Sequence, residues 1–303
     1  MAKVDANGVK LNYEEYGKGD KDKAVVYIHG NIGCKEWMDL VWPLLPENLR
    51  VIAIEWRGCG DSDKPEAADA EYSNYSMPQH ARDMIAAIQN LGIKYADICG
   101  HSTGGIIALH MMRMMPEMFG KLLVLDPVGP MGSDMNQGHL DLFAQMKANR
   151  EFAKSVMAGA IPTLFDQEAL AKGIPTFAKT ATDAQKALFE KLVDKTRVLS
   201  DGIWFGTPIN LAKEWKDATL RAQQELMKHP VMILWGELDT WIPREHMEEM
   251  AKRMPKALLE IVPGVGHSMN VEQPEVFTKY FVDFFTGKLD IDEKKKTKEE
   301  KKK

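Results

Sequence analysis

Along the chain, short runs of consecutive apolar residues alternate with longer stretches in which apolar positions recur every three or four residues. The runs predict strands at 10–16, 24–29, 50–55, 96–99, 121–125, 231–235 and 257–262. "AVVYIH", "VIAIEW" and "VMILW" are nearly all apolar, the pattern of strands covered on both faces of a parallel sheet. Between them, "PQHARDMIAAIQNLG" sets Met84, Ile85, Ile88 and Leu91 near helical spacing, with Pro78 at the start and Gly92 at the stop. "GGIIALHMMRMMPEMFG" predicts a helix ended by Pro116, and "QPEVFTKYFVDFF" a last one. Strands alternating with helices predict an α/β fold, a mostly parallel twisted sheet with helices on both faces.

From Met131 to about Trp215 the strand runs disappear. Helical segments broken by "GAIPTLF", "KGIPTF" and "FGTPIN" take their place. The chain therefore divides into a first core part at 1–130, a helical cap at 131–216, a second core part at 217–286 and a tail at 287–303. Apolar cap residues such as Phe143 and Trp204 are candidates for a pocket wall over one end of the sheet, with packing as the default role for any one of them. Methionine is abundant, 19 residues, with Met131, Met135, Met146 and Met157 in the cap, and its first role is filling irregular gaps. The tail holds eight Lys against five acidic residues and ends in "DIDEKKKTKEEKKK", which predicts a solvated, disordered end.

The formal charge is −5, of which that tail contributes +3, so residues 1–286 carry −8. A mildly acidic body has no basic face for nucleic acid. The three cysteines, Cys34, Cys59 and Cys99, form neither a disulfide framework nor a zinc pattern. No apolar stretch reads as a signal peptide or a membrane span, so the expected home is the cytoplasm. "GKGD" and "GCGDSD" lack the strand-to-helix context of a dinucleotide loop, and no cofactor or metal is expected.

The chemistry gathers at strand ends. Gly100-His101-Ser102-Thr103-Gly104 fits G-x-S-x-G, with a strand running in and a helix running out. A serine at such a corner is a candidate nucleophile, and it needs a base and a group that orients the base. Of eight histidines, His267 stands apart, in the loop "VPGVGHSMN" after the strand at 257–262. His29 reads as support for the glycine loop it opens, and His101 as pointing away from the site. For the orienting acid, Asp239 in "VMILWGELDTWIP" is favoured over Asp126 in "KLLVLDPVGP", with Glu237 a third choice. Oxyanion donors are expected from the backbone N–H of Thr103 and from Asn31 in "HGNIG".

With these residues assembled, the chain resembles the α/β-hydrolase fold family. The resemblance covers about residues 8 to 286 and rests on "HGNIG", "EWRGCGDSDKP", "GHSTGG", "WGELDTWIP" and "GVGHSMN", in the family's order. It implies a cap inserted after the sixth strand, Ser102 as nucleophile, His267 as base, Asp239 as orienter, and N–H groups of Asn31 and Thr103 for the oxyanion. Glu55 departs from the Asp many relatives carry there, at a structural turn. Serine at the elbow implies hydrolysis of a small-molecule, largely apolar ester or lactone, with Trp204, Trp241 and Phe143 as candidate pocket residues. The alternatives are a C–C bond hydrolase or a cofactor-free haloperoxidase-like enzyme of this fold, and a ligand receptor that keeps the triad but turns over slowly.

Overall fold

The computed structural model describes residues 2–300. Eight strands form one sheet: β1 (Ala2–Ala6), β2 (Val9–Tyr16), β3 (Lys23–Ile28), β4 (Val51–Ile54), β5 (Tyr95–His101), β6 (Phe119–Leu125), β7 (Val231–Gly236) and β8 (Ala257–Val262). Their spatial order is β1-β2-β4-β3-β5-β6-β7-β8. The β1–β2 and β2–β4 pairs are antiparallel and every later pair is parallel. All seven predicted strands are present. The eighth, β1, is a five-residue edge strand with only Val4 and Ala6 buried, too short an alternation to predict.

The burial pattern follows the topology. β4 and β7 are buried at every position, as strands covered on both faces must be, whereas the antiparallel β2 leaves polar residues outside. Helices α1 (Met77–Asn90) and α2 (Thr103–Met114) lie between the first strands. Six helices, α3 (Gln137–Ala148), α4 (Arg150–Ala158), α5 (Gln167–Ala171), α6 (Asp183–Lys195), α7 (Thr207–Asp217) and α8 (Thr219–Ala222), fill the long excursion between β6 and β7. Then come α9 (Arg244–Arg253), α10 (Met269–Glu272), α11 (Pro274–Phe285) and α12 (Ile291–Glu300).

Helix α12 corrects the expectation of a disordered end. Ile291 is buried and Lys294 pairs with Glu260 on β8 at 3.1 Å, so one apolar anchor and one ion pair dock the start of a segment whose composition alone reads as solvated. Residues 301–303 of that predicted tail lie outside the described residues. No helix among the described residues is long and apolar enough to cross a membrane.

Two buried polar groups organise the turns beneath the sheet's edge. Glu55, fully buried, accepts from the Asn12 side chain at 2.7 Å and the Asp61 N–H at 2.9 Å, and burial raises its carboxyl above the ordinary range. It is a structural residue, in line with its place in the sequence. Arg57 donates twice to Asp83, from Nε at 2.5 Å and Nη2 at 2.8 Å, and the Asn7 and Gln79 side chains complete the carboxylate's partners. Breaking such a pair leaves a buried charge alone. Asp83→Ala is expected to lower unfolding free energy by about 3–5 kcal/mol, measured by urea titration.

Candidate active site

The carboxyl ends of β3, β5, β6, β7 and β8 meet at one edge of the sheet. Ser102, between β5 and α2, has φ 51° and ψ −122°, a region that L-residues avoid. Backbone bonds hold it there: Ser102 N–H donates to Leu125 O, and Ser102 O accepts from Gly105 N–H and Val128 N–H, each at 2.9 Å. Small neighbours make the corner possible. A Cβ on Gly104 would lie 2.1 Å from the Ile28 carbonyl, and one on Gly30 would lie 2.9 Å from the Ser102 Cβ. The loop after β3 therefore passes directly against the serine.

That loop is folded by His29, as its place before Gly30 predicts. Its buried ring donates from Nδ1 to Gly30 O at 2.8 Å and stacks on Trp56, and burial lowers its pKa to about 4. Neither the Asn31 N–H nor the Thr103 N–H finds a protein acceptor among the described residues, and both residues line the same cavity as Ser102. Cys34, three residues beyond Asn31, is buried, and its thiol is pushed up by burial, so it carries no thiolate chemistry.

His267 follows β8. Its Nδ1 donates to Asp239 Oδ2 at 2.9 Å, which leaves Nε2 as the accepting nitrogen of a neutral ring. Asp239 is held on both oxygens, since Oδ1 accepts from the Trp241 N–H at 2.7 Å and the Ile242 N–H at 3.3 Å. Of the three candidate acids, Asp239 is the one bonded to His267; among the described residues neither Asp126 nor Glu237 makes a hydrogen bond to it.

Two residues that hold this loop carry no obvious sequence signal. His101 does not simply point away. Its buried ring donates from Nε2 to the His267 carbonyl at 3.0 Å and faces the Tyr27 hydroxyl from Nδ1 at 3.5 Å, while burial lowers its pKa to about 3. Glu272 on α10 accepts from Gly266 N–H at 2.9 Å and Ser268 N–H at 3.4 Å through Oε1. Its Oε2 accepts from the Thr163 hydroxyl at 2.5 Å and N–H at 3.2 Å, tying the helical excursion to the residues on either side of His267.

Ser102 and His267 open into a cavity of about 360 Å³. Its far wall comes from α3 and α4, including Phe143, Met146 and Met157, with Met135 beside them. Trp241 also lines it, with its ring 5.1 Å from that of His267. Trp204 does not, which corrects its reading as a pocket residue. A wide π-helical turn at Gly202–Gly206 carries it inward, where it is 1% exposed and packs edge-on behind Phe143. His139 is an unpredicted lining residue, placed by a capping box in which Asn136 N–H donates to its Nδ1. Among the described residues, no Lys, Arg, Asp or Glu lines the cavity.

The model of the family described as "Alpha/beta hydrolase family" matches residues 25–279. An uncharacterized hydrolase of Bacillus subtilis, YugF, is 24% identical over 282 residues, covering 92% of this chain and 95% of its own. An esterase from Exiguobacterium antarcticum superposes with a TM-score of 0.75 at 24% identity, over 93% of this chain and 98% of its own. Est816, described as an N-acyl homoserine lactone degrading enzyme, gives 0.72 at 22% identity, over 93% and 100%. At these identities the likeness to the solved structures is one of fold.

The Glu272 clamp has a measurable role. Glu272→Ala is expected to cost about 1–3 kcal/mol of stability in denaturant titration, with faster hydrogen exchange at the Gly266 and Ser268 amides. Unchanged exchange there would rule out the clamp.

Proposed function

The chain belongs to the alpha/beta hydrolase family, and from that premise we propose that it cleaves a carboxylic ester or lactone through an acyl-enzyme on Ser102. The observation that carries the reading is the Asp239–His267 hydrogen bond ending in the cavity that the strained Ser102 also faces.

In this reading His267 Nε2 takes the Ser102 proton as Oγ attacks the substrate carbonyl. Asp239 keeps the proton on Nδ1, so the other nitrogen is always the base, and its carboxylate stabilises the imidazolium that forms. The tetrahedral oxygen accepts from the free N–H groups of Asn31 and Thr103, an arrangement worth about 10²–10³ in rate for one donor. The Thr103 N–H also opens α2, whose dipole favours the developing charge. His267 returns the proton to the leaving alkoxide, then activates water to clear the acyl group.

The cavity wall supports an uncharged substrate. With no Lys, Arg, Asp or Glu facing it among the described residues, a carboxylate or ammonium would lose its hydration without one of these charged partners, whereas Phe143, Met146 and Met157 offer an apolar, adaptable surface. This also sets the ester or lactone reading ahead of a C–C hydrolase, whose substrate must hold a developing carbanion. Trp241, 41% exposed beside His267, stands at the mouth and would shield the imidazole once substrate enters.

Hydrolysis of a panel of p-nitrophenyl esters and lactones tests the reading. Wild type is expected to turn over and Ser102→Ala to lose roughly a thousandfold or more; equal activity in both would exclude Ser102 as nucleophile. His29 and His101, with pKa values of about 4 and 3, stay neutral across the working range. A general-base mechanism is expected to give kcat/KM an acid limb in a pH–rate profile, and these two rings do not contribute to it. Met146→Trp, which fills the distal wall, is expected to reduce turnover of long acyl esters far more than that of acetate esters.

A further inference from the structure

Asp126 is the buried acid that the catalytic scheme leaves unused. It ends β6 with φ 42°, its N–H donates to Leu234 O at 2.8 Å, and its side chain is wholly buried. Its Oδ1 accepts from the Gly236 N–H at 2.7 Å. Among the described residues its Oδ2 has no hydrogen-bond donor, yet it is sealed from solvent. The carboxylates that bear on it are those of Asp239 and of Glu272 from α10, and the Asp239 N–H donates to Gly236 O at 2.9 Å, so both aspartates are tied to the same glycine. Asp239 has already committed both oxygens as acceptors, to His267 and to the Trp241 and Ile242 amides.

Two carboxylates cannot both stay ionised in contact without water or a cation between them. A buried oxygen with no donor is costly as an acceptor, but as an O–H it becomes a donor and the cost disappears. We propose that Asp126 stands protonated at neutral pH and donates its Oδ2 hydrogen to the Asp239 carboxylate, acting as a positioning residue for the Asp239–His267 pair. Burial and the neighbouring Asp239 charge, which hold the Asp126 carboxyl well above the usual carboxylate range, act in the same direction. The pair then carries one negative charge, opposite one imidazole. The neutral acid anchors Asp239 to the end of β7 through Gly236, and it draws charge from the carboxylate that faces His267. This assignment rests on the reading of Asp239 as the group that orients the base.

The sign of a pH shift separates the two charge states. Asp126→Asn keeps a neutral donor and is expected to retain most of kcat/KM with the acid limb in place. Asp126→Ala removes the donor without removing a charge. It is expected to lose roughly tenfold, the effect of one hydrogen bond to a charged group, and to move the acid limb to higher pH, because an unrelieved Asp239 holds the imidazolium more tightly. If Asp126 were ionised, both variants would delete a negative charge near His267 and move the limb to lower pH, and that result would overturn the assignment. So would an alanine variant indistinguishable from wild type.

A second measurement needs no substrate. The infrared difference spectrum of resting wild type against Asp126→Asn at neutral pH is expected to show a protonated-carboxyl C=O band that shifts in D₂O. Its absence would overturn the assignment even if both variants were active. The band does not depend on Ser102, so a protein that shows it and hydrolyses nothing would overturn the ester reading while leaving Asp126 protonated.

Discussion

Ser102 occupies backbone angles that cost an L-residue on the order of 1–3 kcal/mol, and much of the sheet edge is arranged around keeping it there. The strain persists because three backbone hydrogen bonds, from the end of β6, the loop after it and the first turn of α2, over-determine the corner. It also requires β3 to end close by, since the Gly104 backbone abuts Ile28 and Gly30 abuts the serine itself. The consequence is positional. A serine lifted this way exposes its hydroxyl, faces a loop whose amides are free, and stands at a helix N-terminus, all from one local conformation.

The second tier of the site is a set of buried polar groups that tie loops from different strands together. His101 bonds the His267 carbonyl, Glu272 holds the amides on either side of it, and Asp239 receives two backbone amides as well as the imidazole. Each is buried, so each must be satisfied, and the satisfaction of one fixes the placement of the next. Glu272 extends this logic to the helices between β6 and β7, because Thr163 shares its carboxylate. The helical excursion and the loop that carries His267 are thereby held to one another by a single side chain.

Much of this was legible in the sequence, for reasons that differ by element. Parallel strands buried on both faces leave near-continuous apolar runs, which is why all seven were found, while β1 exposes three of its five residues and leaves almost no run. The elbow was legible because its geometry demands small residues at fixed offsets. The acid was less so: Asp126 and Asp239 both close strands, and strands β6 and β7 are neighbours, so only the direction of the His267 ring separates them. Trp204 was misplaced because a π-helical turn rotates it relative to ordinary helical spacing. Glu272 and His139 were not found because their roles come from contacts across more than 100 residues in one case and from a local cap in the other. Helix α12 shows the opposite error, since a single anchored isoleucine outweighs a solvated composition.

Three imidazoles, those of His29, His80 and His101, are sealed in the interior with pKa values of about 4, 3 and 3. Desolvation is the leading cause in each. An unfolded chain binds protons at these positions as pH falls through about 6.5, whereas the folded chain does not until far lower. Below that point the unfolded state therefore holds more protons, and stability must decline with acidification at about 1.4 kcal/mol per pH unit for each fully engaged group. Acid thus acts on the protein through the foundations beneath the sheet edge. A drop in ambient pH would work to dismantle this molecule, and how far it could fall first is governed by how tightly the interior keeps those three rings dry.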